Sequence, residues 1–153
     1  MERLLGFLPC VYAFVACAGF CVLFNIHGPG IFFCSLGGAL GWLAYLLAKG
    51  PAGGNDMIQS LVASLVIAAY AEMMARIRKY PTTSYVLIAC LPLVPGAGIY
   101  YTMEYAVAGE TDLFLSSFLH TLGLAGSMAL GILLVGSLVR LITTGWRQHR
   151  RKE

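Results

Sequence analysis

The sequence predicts an all-α membrane protein with five transmembrane helices, the fourth of them broken at Pro92–Gly98. Three observations point there. The chain is 59% hydrophobic and 11% charged, whereas a soluble domain carries about 25% charged residues, and its mean hydropathy is +0.79. Its apolar residues fall into runs long enough to cross a bilayer, and its Lys and Arg residues sit at the ends of those runs. With 153 residues there is room for a single transmembrane domain, residues 1–153, and no separate soluble one.

The first span is predicted over residues 8–25, with Pro9 acceptable in a first helical turn. The stretch up to Gly19 also has the look of a signal peptide, with Arg3, an apolar run and Ala16-Cys17-Ala18 as a cleavage context. Apolar character continues without pause through Phe24, so a retained span is expected. Ile26-His27-Gly28-Pro29-Gly30 reads as a tight turn. The second span covers 31–47. It carries Trp42 and Tyr45 as interfacial aromatics and Gly37-Gly38-Ala39-Leu40-Gly41 as a smooth face for close helix approach. A loop from Lys49 to Asp56 follows, in which Asn55 or Asp56 can cap the next helix.

The third span, 57–75, is closed by Arg76-Ile77-Arg78-Lys79-Tyr80-Pro81. The fourth, 83–103, holds Pro92, Pro95, Gly96 and Gly98 at its centre. Pro92 has no N–H for the carbonyl of Ile88 and Pro95 none for that of Leu91, so two half-helices are expected with a break near the bilayer midplane. Glu104 to Asp112 is an acidic connection without a basic residue. The fifth span, 113–142, bears the small-residue series Gly123, Ser127, Gly131 and Gly136, and a basic tail runs from Arg147 to Lys152. Tyr80 and Trp146 read as interface anchors. Five spans place eight Lys and Arg residues on one side and only Arg3 and Lys49 on the other. The expected orientation is N-terminus outside and C-terminus cytoplasmic.

The break is the first candidate site. A half-helix starting at Gly96 turns its free N–H groups and positive dipole end into the membrane centre, which suits a carboxylate. Gly98, Tyr101, Thr102 and Tyr105 recur at helical spacing, and with Tyr100 they are candidates to line a substrate path. A structural kink is the alternative. Glu72 lies within a span and is a candidate proton-coupling group; an i,i+4 ion pair with Arg76 is the plainer reading. His120 is a second proton-coupling candidate, or a histidine bonded to a neighbouring helix. Asn25 reads as a helix C-terminus.

All five cysteines lie in apolar segments without metal-ligand spacing, so small buried side chains explain them best. No catalytic motif, metal set or cofactor signature is present, so neither an enzyme nor an ATP-driven pump is expected of this chain. The net charge of +3 resides at segment ends and is no nucleic-acid signal.

Gly19-Phe20, Phe24-Asn25, Leu36-Gly37-Gly38, Arg76 with Pro81, and above all Pro92-Leu93-Val94-Pro95-Gly96 followed by Tyr100-Tyr101 resemble the threonine/serine exporter family. The likeness is to its small single-domain component and covers nearly the whole chain. The resemblance implies a two-component secondary exporter of the bacterial inner membrane, driven by the proton motive force. A larger membrane subunit of the same family would be the partner, and threonine, serine or a dicarboxylate such as succinate the small carboxylate substrate. Besides that subunit and the lipid bilayer, further copies of the chain are possible partners. The rival expectations are a non-transporting subunit that stabilises a larger partner and, more remotely, a lipid-modifying enzyme.

Overall fold

The computed structural model describes residues 7–50 and 53–149. Arg3, Arg150, Arg151 and Lys152 lie outside the described residues, as do the side chains of Trp146 and Arg147. Among the described residues six α-helices follow one another: α1 (Leu8–Leu23), α2 (Gly30–Ala48), α3 (Asp56–Arg78), α4 (Thr82–Cys90), α5 (Gly96–Ala108) and α6 (Thr111–His149). A single 3-10 turn, Leu91–Leu93, extends α4. Among the described residues α2, α3 and α6 are each long and apolar enough to cross a membrane. The α4–α5 pair, bent by 59°, makes a fourth if it counts as one span. The expected fifth would be α1, which at 16 residues is shorter than the roughly 17–25 residues that cross a bilayer.

Local chemistry accounts for most of the helix ends. Pro9 sits in the first turn of α1, where no hydrogen bond is lost. That helix closes on Asn25, whose φ of 58° places it in the left-handed region. There the Ile26 N–H reaches the Cys21 carbonyl and the Asn25 N–H that of Val22, a closure that asparagine tolerates better than most residues. Gly109 (φ 75°) ends α5 in the same way. The Asn55 side chain caps α3 by accepting the Met57 N–H at 3.0 Å. Asn55→Ala is expected to remove about 1 kcal/mol of stability, read as a lowered thermal midpoint of the purified protein in detergent.

Packing centres on α2. A Cβ at Gly37 would meet the Tyr70 ring of α3, one at Gly38 the Cys17 thiol of α1, and one at Gly41 the Ile67 side chain. The glycine run therefore brings its neighbours close onto one helix, the small-residue packing expected of membrane bundles. Cys17, Cys21, Cys34 and Cys90 are buried and Cys10 half-buried. Across the bundle, α3 and α6 run parallel in a fixed register. Gly123 faces Met57, Gly131 faces Ser64, and Arg76 Nη2 donates to Thr143 Oγ1 at 2.9 Å.

That register has a geometric result. Helix α6 begins about 12 residues, or about 18 Å, ahead of the level at which α3 begins. Along this overhang α5 packs antiparallel, with Gly98 against Thr121 and Thr102 against Ser117. The α5–α6 hairpin thus extends past the N-terminal end of α3, with Met103, Val107, Leu115, Leu119 and Leu122 exposed on it.

Candidate functional site

The break lies at Val94–Pro95, with Pro92 inside the 3-10 turn and Gly98 in the first turn of α5. Each backbone group freed by a proline is accounted for. The Ile88 carbonyl accepts the Leu91 N–H and, from α1, the Cys17 thiol at 3.3 Å. The Val94 N–H is shared between the carbonyls of Cys90 at 3.2 Å and Leu91 at 3.3 Å. Pro95, at φ −75° and ψ 62°, sits at the centre of a three-residue turn closed by Gly96 N–H to the Val94 carbonyl at 2.7 Å, the geometry of an inverse γ-turn. The acceptors on the α4 side are therefore met from within the protein.

On the α5 side the donors are not. Helix α5 has no side-chain cap, and its first ladder bond is Ile99 N–H to the Pro95 carbonyl at 3.1 Å. Among the described residues no acceptor faces the N–H groups of Ala97 and Gly98. Gly96 and Ala97 are exposed, so this helix N-terminus opens outward from the isolated chain rather than into an enclosed pocket.

The predicted polar stripe divides in two. Thr102 is buried at 7% exposure. Its Oγ1 donates to the Gly98 carbonyl at 2.7 Å and shares a hydrogen bond with Ser117 at 3.0 Å. Gly98 lies against Thr121 so closely that a Cβ there would collide with its hydroxyl. Thr102 and Gly98 thus join α5 to α6. Tyr100 and Tyr101 are exposed, Tyr105 half-buried. Their rings form a ladder, Tyr100 edge-on to Tyr101 at 5.5 Å and Tyr101 stacked on Tyr105 at 6.5 Å. Any path these tyrosines line is completed by something outside this chain.

Glu72 and His120 are far apart. His120 is exposed on the overhanging part of α6 and makes no hydrogen bond to the described residues. In the α3–α6 register Glu72 lies level with the region of Val139, which separates the two by roughly 28 Å along the bundle. They cannot hand a proton directly to one another. Glu72 is paired within its own helix, Oε2 to Arg76 Nε at 4.0 Å.

Around Glu72 the structure reveals what the sequence did not announce. A cleft of about 740 Å³ opens between α3, α4 and α6, with Glu72, Thr82, Thr83, Ser137 and Arg140 among its lining residues. Gly136 lines it too, and no atom lies within 4 Å of where its Cβ would be. Gly123 and Gly131, by contrast, are in tight contact with α3. The series of small residues therefore serves two ends: Gly123 and Gly131 close the helix crossing and Gly136 leaves space. Two further buried polar groups escaped sequence reasoning. Gln59 is 1% exposed with Nε2 at 3.4 Å from Asp56 Oδ1, and Trp42 Nε1 is buried without a partner among the described residues. The period-3.6 pattern of an all-apolar span gives no sign of which face such groups occupy.

Comparison with known proteins bears on the whole bundle. The family model described as Threonine/Serine exporter, ThrE, matches residues 9–138, from the first turn of α1 to most of α6. No curated protein and no solved structure matches the chain. The match spans well over half of the sequence and takes in the α4–α5 break, α2 with its glycine run and the α3–α6 crossing. The chain belongs to the threonine/serine exporter (ThrE) family.

Proposed function

We propose that the chain is the small subunit of a two-component secondary exporter that carries small carboxylate metabolites out across the bacterial inner membrane. Threonine, serine or a dicarboxylate such as succinate is the cargo, and the proton motive force drives it. The observation that carries this reading, beyond family membership, is the α5 N-terminus. Two backbone donors and the positive end of a helix dipole open at the break, level with the N-terminal end of α3, and a helix N-terminus of this kind holds substrate carboxylates in several transporter folds. Because that terminus faces outward, a second chain closes the path. With α1 as a short fifth span, the helix directions alternate and leave the two ends on opposite sides, and the placement of Lys and Arg then favours an N-terminus outside and a C-terminus in the cytoplasm. Pro92, Pro95 and Gly96 open and shape the break, Tyr100 and Tyr101 flank the path, Gly98 and Thr102 hold α5 on α6 beside it, and Glu72 or His120 couples protons.

A second reading, a subunit that stabilises or regulates a larger transporting partner, is favoured by the exposed apolar surface of the α5–α6 hairpin. Reconstitution separates the two. Proteoliposomes holding this chain, the larger family subunit, or both are assayed for uptake of labelled threonine, serine and succinate under an imposed proton gradient. Saturable flux from the pair alone, lost on mutation of the break in this chain, is the expected result. Equal flux from the larger subunit by itself removes this chain from the path.

A further inference from the structure

We propose that the cleft between α3, α4 and α6 is the loading site for a small zwitterionic amino acid, its carboxylate toward Arg140 and its ammonium toward Glu72. The proposal rests on the exporter reading above and adds where and how the cargo is first held.

The cleft has the size of a ligand site, about 740 Å³ against a usual range of roughly 300–1,000 Å³. It contains one anion and one cation from different helices, Glu72 of α3 and Arg140 of α6. Neither is strongly engaged. The Glu72 carboxylate reaches Arg76 only at 4.0 Å, well beyond the roughly 2.7–2.9 Å of a charge-assisted hydrogen bond. Arg76 in turn is held by Thr143 at 2.9 Å. Arg140 has no carboxylate within ion-pair distance among the described residues. An α-amino acid carries the complementary pair of charges on one small molecule, so both protein groups gain a partner at once.

The hydroxyls add to this. Ser35, Thr102, Thr121 and Thr143 each donate back to the carbonyl four residues earlier in their own helix. Thr82, Thr83 and Ser137 line the cleft and make no hydrogen bond among the described residues. Three uncommitted hydroxyls beside a charge pair suit a small, hydroxyl-bearing side chain, and Gly136 keeps the wall bare to admit it. On the predicted orientation this end of the bundle is cytoplasmic, where an exporter collects its cargo.

A phosphatidylethanolamine headgroup offers the same pairing of ammonium and anion, so the shared chemistry is that of a compact zwitterion and the test must separate the two sources. The full chain is placed in nanodiscs of phosphatidylglycerol, with and without phosphatidylethanolamine, and binding of labelled L-threonine is measured. Saturable binding is expected, weakened at least about tenfold by Glu72→Gln and by Arg140→Gln and abolished by Gly136→Phe. Gly136 has open space around it, so that variant fills the cleft without disturbing a helix contact. The methyl ester of threonine, lacking the anion, should bind with an affinity that Arg140→Gln leaves unchanged, and N-acetylthreonine should likewise be indifferent to Glu72→Gln. A purely structural role for either side chain predicts no such pairing of variant with ligand. Loss of threonine binding when phosphatidylethanolamine is present assigns the cleft to lipid and overturns the proposal. So does the absence of saturable binding by the wild-type chain, or undiminished binding by the three variants. In the reconstituted pair, export whose KM ignores all three variants defeats this site alone, whereas no export at all defeats the exporter reading.

Discussion

Gly41→Leu is expected to leave little folded protein in the membrane. A Cβ at this position already collides with the Ile67 side chain and comes within 3.3 Å of Leu93. Ile67 is fully buried and held among Ala63, Ala89, Cys90, Leu93 and Met128. It has nowhere to move, so the helices must separate instead. Inserting even single methylenes into a packed core costs about 1–3 kcal/mol; a whole side chain at a junction of three elements lies at or beyond the upper figure. The loss is measured as the yield of monodisperse protein after membrane extraction. Gly126→Leu is the control, since no atom lies within 4 Å of its Cβ position. In a helix the extra side chain there should be neutral or mildly stabilising.

The second large effect is on transport. Pro95→Ala combined with Gly96→Leu is expected to abolish export with membrane abundance unchanged. Proline costs a helix interior about 3 kcal/mol and glycine about 1 kcal/mol relative to alanine, so the pair removes about half of the local opposition to a continuous helix, Pro92 and Gly98 keeping the rest. The alanine introduced in place of Pro95 regains an N–H that competes for the Leu91 carbonyl, which in the native chain bonds Val94 at 3.3 Å. The turn closed by Gly96 N–H on the Val94 carbonyl then has no reason to form. Gly96 is exposed with open space around it, so leucine fits without a clash and a transport defect is not a folding defect. Efflux of labelled threonine from vesicles carrying both subunits is the measurement. Unchanged efflux in the double variant rules out the break as part of the path.

How much of the molecule could be foreseen depends on how local its cause is. The break was legible because a pyrrolidine ring acts on its own turn: Pro92 and Pro95 forbid specific hydrogen bonds wherever the chain is placed. The cap at Asn55 and the turn through Asn25 to Gly30 were legible for the same reason. The glycine run of α2 announced close packing, though not which side chains of α1 and α3 would meet it. The helical spacing of Gly98, Tyr101, Thr102 and Tyr105 predicts one surface. It is divided because α6 covers only part of it, and nothing within α5 says where α6 will lie.

Helix lengths show the same division. The fifth span was expected over 113–142, yet α6 runs from Thr111 to His149, and its polar ends continue a helix that apolar counting cuts short. The third likewise begins at Asp56 and ends at Arg78. The first stops at Leu23 because the left-handed Asn25 closes it before the apolar run ends.

By itself, the sequence determined that this is a helical membrane protein, where its chain turns, and that one apolar segment must break at two prolines, since these follow from composition and from forces acting within a turn. Only the tertiary structure decided the rest. Glu72 and Arg140 share a cleft because α3 and α6 run parallel in one register, set by Gly123 on Met57 and Gly131 on Ser64. The α5 amides open outward because α5 leans on α6 alone along its overhang. Contacts between residues so distant in the chain depend on how whole helix surfaces fit, and no short stretch of sequence carries that information.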